Sequence, residues 1–255
     1  MRGSPLPDGG DHEEEELHGG NVSRVVRVGG TVRRPTGPWT PSVHHLLRHL
    51  EDVGYTGAPR VLGIDEQERE ILTYLPGDIG HYPGRPAVWS DGTLARVAWL
   101  VRALHDATAS LPGAIAGPWR MAFADARRHE VICHNDIAPY NGVFVSGRLT
   151  AFIDWDFAGP GPRIWDVAHA VYRFVPLTRP AARSELPLPP EWSERRRLTL
   201  FCERYGLDDR SELVGAVVRR VGEMAETGPH AGHYREDLRW LEARRQELEE
   251  AVAAG

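Results

Sequence analysis

Two short segments carry groups that could do chemistry. The first is Val131-Ile132-Cys133-His134-Asn135-Asp136-Ile137-Ala138-Pro139-Tyr140-Asn141, and the second is Ala151-Phe152-Ile153-Asp154-Trp155-Asp156. Each is an apolar strand stub running into a polar cluster. Between them Val143-Phe144-Val145, a Ser146-Gly147 turn and Leu149 read as a β-hairpin. Eighteen positions separate Asp136 from Asp154, but the hairpin folds the chain back so that Asp136, Asn141 and Asp154 converge. Such a group can do two jobs. One carboxylate can orient a hydroxyl and accept its proton. The amide oxygen and the other carboxylate are the hard oxygen ligands that suit Mg²⁺ on nucleotide phosphates.

The elements around these segments divide the chain. Residues 1–16 hold six acids (Asp8, Asp11, Glu13, Glu14, Glu15, Glu16) against Arg2, with no periodicity, and read as a disordered acidic leader. From Leu17 to Gly77 the pattern is that of a small lobe. Arg24–Val28 and Thr31–Arg34 read as strands joined by the Gly29-Gly30 turn. A helix behind Pro41 carries Val43, Leu46, Leu47 and Leu50 at helical spacing. Two further strands follow, at Pro59–Ile64 and Glu70–Leu75. Residues 78–255 make a larger and mostly helical lobe. It opens on a helix with Leu94, Val97, Ala98, Val101 and Leu104 on one face, and a Pro-rich break interrupts it at 176–190. The expected class is therefore α+β, an antiparallel-sheet N-lobe on a helical C-lobe.

Composition narrows the function. The 255 residues carry a formal charge of −6, and five of those six charges lie in the leader, so the body lacks the basic surplus of a dedicated nucleic-acid binder. Two cysteines cannot build a disulfide framework, and no apolar run is long enough for a membrane span, which points to a soluble, cytoplasmic protein. All 30 basic residues are arginine, so any step that needs a lysine is closed to this chain. His44-His45 and His230-x-x-His233 invite a metal reading, but no cysteine or carboxylate cluster accompanies them, and surface or capping roles are the better expectation.

His134-x-Asp136-x-x-x-x-Asn141 has the spacing of a kinase catalytic loop. With Ile153-Asp154-Trp155 after the hairpin and Trp165-Asp166-Val167-Ala168 beyond, the chain resembles the aminoglycoside phosphotransferase family over roughly residues 17–175. The stretch from Gly19 to Val43 looks like an actinobacterial branch of trifolitoxin-immunity-like phosphotransferases. The resemblance implies a two-lobed protein-kinase-like fold, with Asp136 the catalytic base and Asn141 and Asp154 ligands of Mg²⁺. Asp156 would be a further metal-side carboxylate. Gly19, Gly20 and Asn21 would form the loop over the phosphates of ATP or GTP, and Tyr74-Leu75 the hinge that meets the base. Asp166 would tie down the catalytic loop. The acceptor would be a hydroxyl of a small molecule, because only eleven residues separate Asp154 from Asp166, too few for an activation segment; the acidic surplus over residues 203–250 would suit a cationic one.

The departures are specific. Asn135 stands where protein kinases have arginine. The strand lysine that pairs phosphates is missing; Arg33 is the best stand-in, with Arg34 next in line. The acid expected early in the following helix is absent too, Val43 standing about where it should be. These losses keep a second reading open, a kinase-fold binding or immunity protein that sequesters a toxin or senses nucleotide without transfer.

Overall fold

The computed structural model describes residues 14–17, 25–227 and 230–253. The first lobe is a five-stranded antiparallel sheet with one helix against it. In chain order it contains β1 (Glu15–Leu17), β2 (Val25–Val28), β3 (Thr31–Pro35), α1 (Thr40–Asp52), β4 (Val61–Ile64) and β5 (Arg69–Thr73). The spatial order is β1-β2-β3-β5-β4. Gly29, at φ 58°, makes the β2–β3 turn in a region where a side chain would be strained. Residues 15 and 16 belong to β1, so the acidic leader does not extend to residue 16 as a structureless segment. The acids there meet arginines of the sheet: Glu14 lies 2.9 Å from Arg69 and Glu15 lies 3.7 Å from Arg27. Residues 1–13, together with Gly19, Gly20 and Asn21, lie outside the described residues.

After β5 the chain leaves this sheet. β6 (Asp78–Ile79) pairs instead with β8 (Gly142–Val145), which pairs with β9 (Arg148–Phe152). Between them come α2 (Asp91–Thr108) and β7 (Val131–Cys133), and β7 pairs with β10 (Gly159–Gly161). The helices that follow are α3 (Arg163–Phe174), α4 (Pro180–Arg183), α5 (Glu194–Tyr205), α6 (Leu213–Thr227), α7 (Ala231–Ala243) and α8 (Arg245–Ala253). The short α4 lies inside the Pro-rich break.

The stripe Leu94, Val97, Ala98, Val101 and Leu104 is fully buried, and α2 packs through it against α3, α5 and β9. Ser90 caps the helix by accepting from the Thr93 amide at 3.1 Å. A second apolar cluster joins Val43, Leu46, Leu47 and Leu50 of α1 to Leu72 of β5, Leu104 of α2, Ile132 of β7 and Trp155. That cluster holds the small lobe onto the loops bearing Asp136 and Asp154. Truncating one of these leucines to alanine would cost about 2–5 kcal/mol.

Candidate active site

The loop after β7 is fixed from both sides. His134 Nδ1 accepts from the Asp136 amide at 3.2 Å, so its proton sits on Nε2, which faces the Ile153 carbonyl at 3.2 Å. The same ring packs on Trp155, with centroids 4.5 Å apart. From α3, the buried Asp166 accepts from the His134 and Asn135 amides, each at 2.9 Å. Asn135 takes a left-handed φ of 65°, a conformation asparagine tolerates better than most residues. Burial alone would raise the Asp166 pKa. The His105 contact and the loop's amide and imidazole outweigh it and draw the value down to about 2. Cys133 and His105 lie beside Asp166, but the thiol is pushed up by burial and the carboxylate is committed to the loop, so this trio is framework rather than a metal centre.

Asp136 emerges from that frame with its side chain 20% exposed. Oδ1 accepts from the Tyr140 hydroxyl at 2.7 Å, and Oδ2 from Asn141 Nδ2 at 2.8 Å. His169 Nε2 lies 3.3 Å from Oδ1, a long and poorly aligned contact. Burial would raise the Asp136 pKa, but His169, the Arg173 charge and the Tyr140 hydroxyl hold it well below the ordinary carboxylate range. His169 itself is pushed down to about 4 by burial and by the neighbouring guanidinium groups of Arg220 and Arg173. Arg220 Nε donates to His169 Nδ1 at 3.3 Å and Nη2 to the Asn135 carbonyl at 2.5 Å, so α6 braces the loop and fixes the imidazole tautomer together. Asn141 spends Nδ2 on the carbonyl and carboxylate of Asp136, which leaves Oδ1 as its free donor atom.

Asp154 follows β9 with a left-handed φ of 61°, and Asp156 sits in the single 3-10 turn after it. The guanidinium of Arg34 spans both. Its Nη1 lies 3.0 Å from Asp154 Oδ1, its Nη2 bonds Asp156 Oδ1, and its Nε bonds Glu70 Oε1. This reverses the expected order of the two arginines. Arg33 points to the other face of the sheet, its Nη1 on the Thr31 hydroxyl and its Nε 3.8 Å from Asp65. The cause is register. Neighbouring strand residues face opposite ways, and β3 pairs with β5 so that Arg34 lies across from Glu70 while Val32 lies across from the buried Leu72. Glu70 in turn contacts His44 Nε2 on α1 at 2.8 Å. The acid missing from the helix is therefore supplied by β5, and helix α1 offers an imidazole instead.

The residues suit a divalent cation chemically: Asn141 Oδ1, Asp154 and Asp156 are hard oxygen donors, and Asp154 keeps 45% of its side chain exposed. Of the expected hinge, the Tyr74 amide is already bonded to the Gly30 carbonyl at 2.9 Å, and its ring lies 4.1 Å from the Arg27 guanidinium. Tyr74 therefore cannot present its N–H to a base while that bond stands. The neighbouring Leu75 backbone makes no hydrogen bond among the described residues.

Residues 81–198 match the phosphotransferase enzyme family. The trifolitoxin immunity protein of Rhizobium leguminosarum bv. trifolii is 32% identical over 225 residues, covering 84% of this chain and 85% of that protein. The chain belongs to the phosphotransferase enzyme family. That relative is a Rhizobium protein, whereas the sequence resemblance pointed to an actinobacterial branch. The fold is shared with solved kinases at much lower identity. Ethanolamine kinase of Plasmodium vivax superposes with a TM-score of 0.66 at 13% identity, covering 93% of this chain and 84% of that one. An amicoumacin kinase in complex with AMP-PNP and Ca²⁺ gives 0.62 at 12% identity, covering 93% and 88%. A GDP complex of an aminoglycoside 2'-phosphotransferase gives 0.61 at 14%, covering 95% and 94%. The two-lobed protein-kinase-like architecture is thereby established.

In this phosphotransferase-family chain, several residues at the site escaped sequence reasoning. Glu70 gave no motif, and only strand register brings it to Arg34; His44, expected in a surface or capping role, is instead buried against Glu70. His169 and Arg220 lie 33 and 84 residues beyond Asp136 on helices whose faces the spacing left open. Tyr140 lay within the quoted segment, one turn after Asp136, and that spacing was a usable signal.

Proposed function

We propose that the protein transfers the γ-phosphoryl group of ATP or GTP to a hydroxyl of a small molecule. The observation that carries this reading is the Asp136 carboxylate, partly open and held by Tyr140 and Asn141, with the Asn141 main-chain carbonyl in turn accepting from the Ile153 amide next to Asp154 at 2.9 Å. Asp136 would orient the acceptor hydroxyl and take its proton as the phosphoryl group departs from the nucleotide. Arg34 would carry the positive charge toward the phosphates, a task no lysine of this chain can perform. Asn141 and Asp154, with Asp156 beside them, would hold Mg²⁺, which when bound neutralises charge on the phosphates. Leu75 offers its backbone to the base, and Gly19, Gly20 and Asn21 are the proposed loop over the phosphates. The protein would act in the cytoplasm, where such nucleotides are held. No helix among the described residues is long and apolar enough to cross a membrane. No nucleic-acid or membrane partner is needed for this chemistry.

The relatives suggest antibiotics and amino alcohols as acceptors, and a cationic acceptor belongs to this proposal. The test is phosphoryl transfer from labelled ATP and GTP, with Mg²⁺, to a panel of aminoglycosides, amicoumacin and ethanolamine. Asp136→Asn is expected to leave nucleotide affinity within about twofold and to lower transfer by about a hundredfold to ten-thousandfold. An Asp136→Asn protein that transfers at the parent rate would remove Asp136 as the base. Nucleotide binding by the parent with no transfer to any acceptor would favour the sequestering, immunity-type reading instead.

A further inference from the structure

The Arg34 guanidinium is engaged on three sides by carboxylates, and two of them are the proposed metal-side groups. Its side chain is only 12% exposed, and Glu70, which bonds its Nε, is 2% exposed. That Nε end is anchored: Glu70 is the cross-strand neighbour of Arg34, and its second oxygen is held by His44 at 2.8 Å. The two Nη ends are different. They reach across from the small lobe to Asp154, whose side chain is 45% exposed, and to Asp156 at 18%. Arg120 adds a second cation 3.5 Å from Asp156. Three carboxylates thus face two guanidinium groups, which leaves one net negative charge for any further cation.

We propose that Arg34 is a built-in gate on the metal-side carboxylates. Without nucleotide its guanidinium is the cation that Asp154 and Asp156 bind, and a divalent ion enters only with a nucleotide whose phosphates draw the Nη ends away. Glu70 and His44 keep the Nε end in place, so the side chain turns about an anchored point rather than leaving the cleft. The physical reason is competition for the same oxygens. With Arg34 in place its Nη ends occupy the Asp154 and Asp156 oxygens that an incoming dication needs; with those ends turned toward phosphate both carboxylates are free to bind it, and only Arg120 stands against Asp156. A guanidinium suits the role because its planar fork of five donors can bond Glu70 and both aspartates at once, which a single ammonium at the end of a lysine would not span in the same way. The opening half of the gate rests on the phosphotransferase reading; the closed half rests on the geometry alone.

The test is Mn²⁺ binding, read from the electron paramagnetic resonance signal of the free ion, with and without the ATP analogue AMP-PNP. Without nucleotide, Arg34→Gln is expected to bind Mn²⁺ at least about tenfold more tightly than the parent, since one opposing charge is gone. Adding Asp154→Asn to that variant should abolish the gain, which places the ion at this carboxylate. Arg34→Lys keeps a cation against Glu70 and serves if Arg34→Gln does not fold; it should tighten Mn²⁺ binding by at least about threefold. With AMP-PNP present, the parent should bind Mn²⁺ at least about tenfold more tightly than without it. Equal nucleotide-free affinity in the parent and both Arg34 variants overturns the proposal. So does a gain that survives Asp154→Asn. If AMP-PNP changes nothing in any of the proteins, the nucleotide reading itself fails and the gate has nothing to open it. That result differs from a failed gate, in which AMP-PNP tightens Mn²⁺ binding but Arg34 substitution does not.

Discussion

Asp136 is ionised because its neighbours outvote its burial, and that balance can be tested one donor at a time. The Tyr140 hydroxyl at 2.7 Å stabilises the charged carboxylate and has nothing to give the protonated one that water could not. Removing it in Tyr140→Phe therefore moves the Asp136 pKa up. The acidic limb of the kcat/KM profile should shift upward by up to about one pH unit, and kcat at pH 7 should fall about tenfold as the carboxylate loses its fixed orientation. A pH–rate profile of the two proteins decides it; an unmoved acidic limb would mean that Tyr140 does not tune the base. The hairpin between Asp136 and Asp154 was readable from sequence, and it forms as β8 and β9. Sequence reasoning ranked Arg33 before Arg34 because the face that β3 turns to the cleft shows fully only once Glu70 is seen across from Arg34. The apolar Val32, two positions before Arg34 and on its face, was the local hint to the cleft side.

At the scale of elements, the catalytic loop hangs between β7, α3 and α6, and Asp166 is its tie to α3. Its carboxylate accepts two consecutive loop amides and faces His105, all fully buried. Asp166→Asn keeps the shape but turns one acceptor into an NH2 aimed at an amide N–H or at the imidazole. We expect a loss of about 3 kcal/mol or more by urea denaturation, with whatever activity remains falling more than nucleotide affinity, because the loop bears Asp136 and not the small lobe. A loss under about 1 kcal/mol would show that the loop holds its shape without this tie. The helices that build this frame were legible wherever an apolar stripe ran at helical spacing, as in α1 and α2. β1 was not, because Glu14 and Glu15 read as solvated acids until Arg69 and Arg27 of the folded sheet are placed beside them. The brace from α6 was hidden for a similar reason. Arg220 is 4% exposed, and an arginine that far inside has to be seen with its partners, the Asn135 carbonyl and His169, to be understood.

Across the whole molecule, buried ionisable groups link stability to pH, and His169 is one that acts close to neutrality. Its pKa is lowered from 6.5 to about 4 in the folded protein, by burial first and then by Arg220 and Arg173. A histidine with a depressed folded pKa is neutral in both states above about pH 6.5, where it costs nothing. Below that the unfolded chain takes up a proton that the folded protein refuses, so unfolding gains, and the loss of stability grows until about pH 4. The shift corresponds to about 3 kcal/mol at most. Asp166, at about 2 in the fold against 3.8 in its ordinary range, adds a further loss of the same sign, but only as pH falls through the window from about 4 to 2. Between pH 7 and 4.5 the slope should therefore belong largely to His169. Urea denaturation at both pH values, on the parent and on His169→Gln, separates the two contributions. The variant keeps a neutral hydrogen-bonding side chain that cannot take up a proton, so its stability should change by about 2 kcal/mol less than the parent's over that interval, whatever it loses at pH 7 through altered packing. The same slope in both proteins would show that His169 titrates normally, and that the positive charges of Arg220 and Arg173 do not hold it neutral beside Asp136.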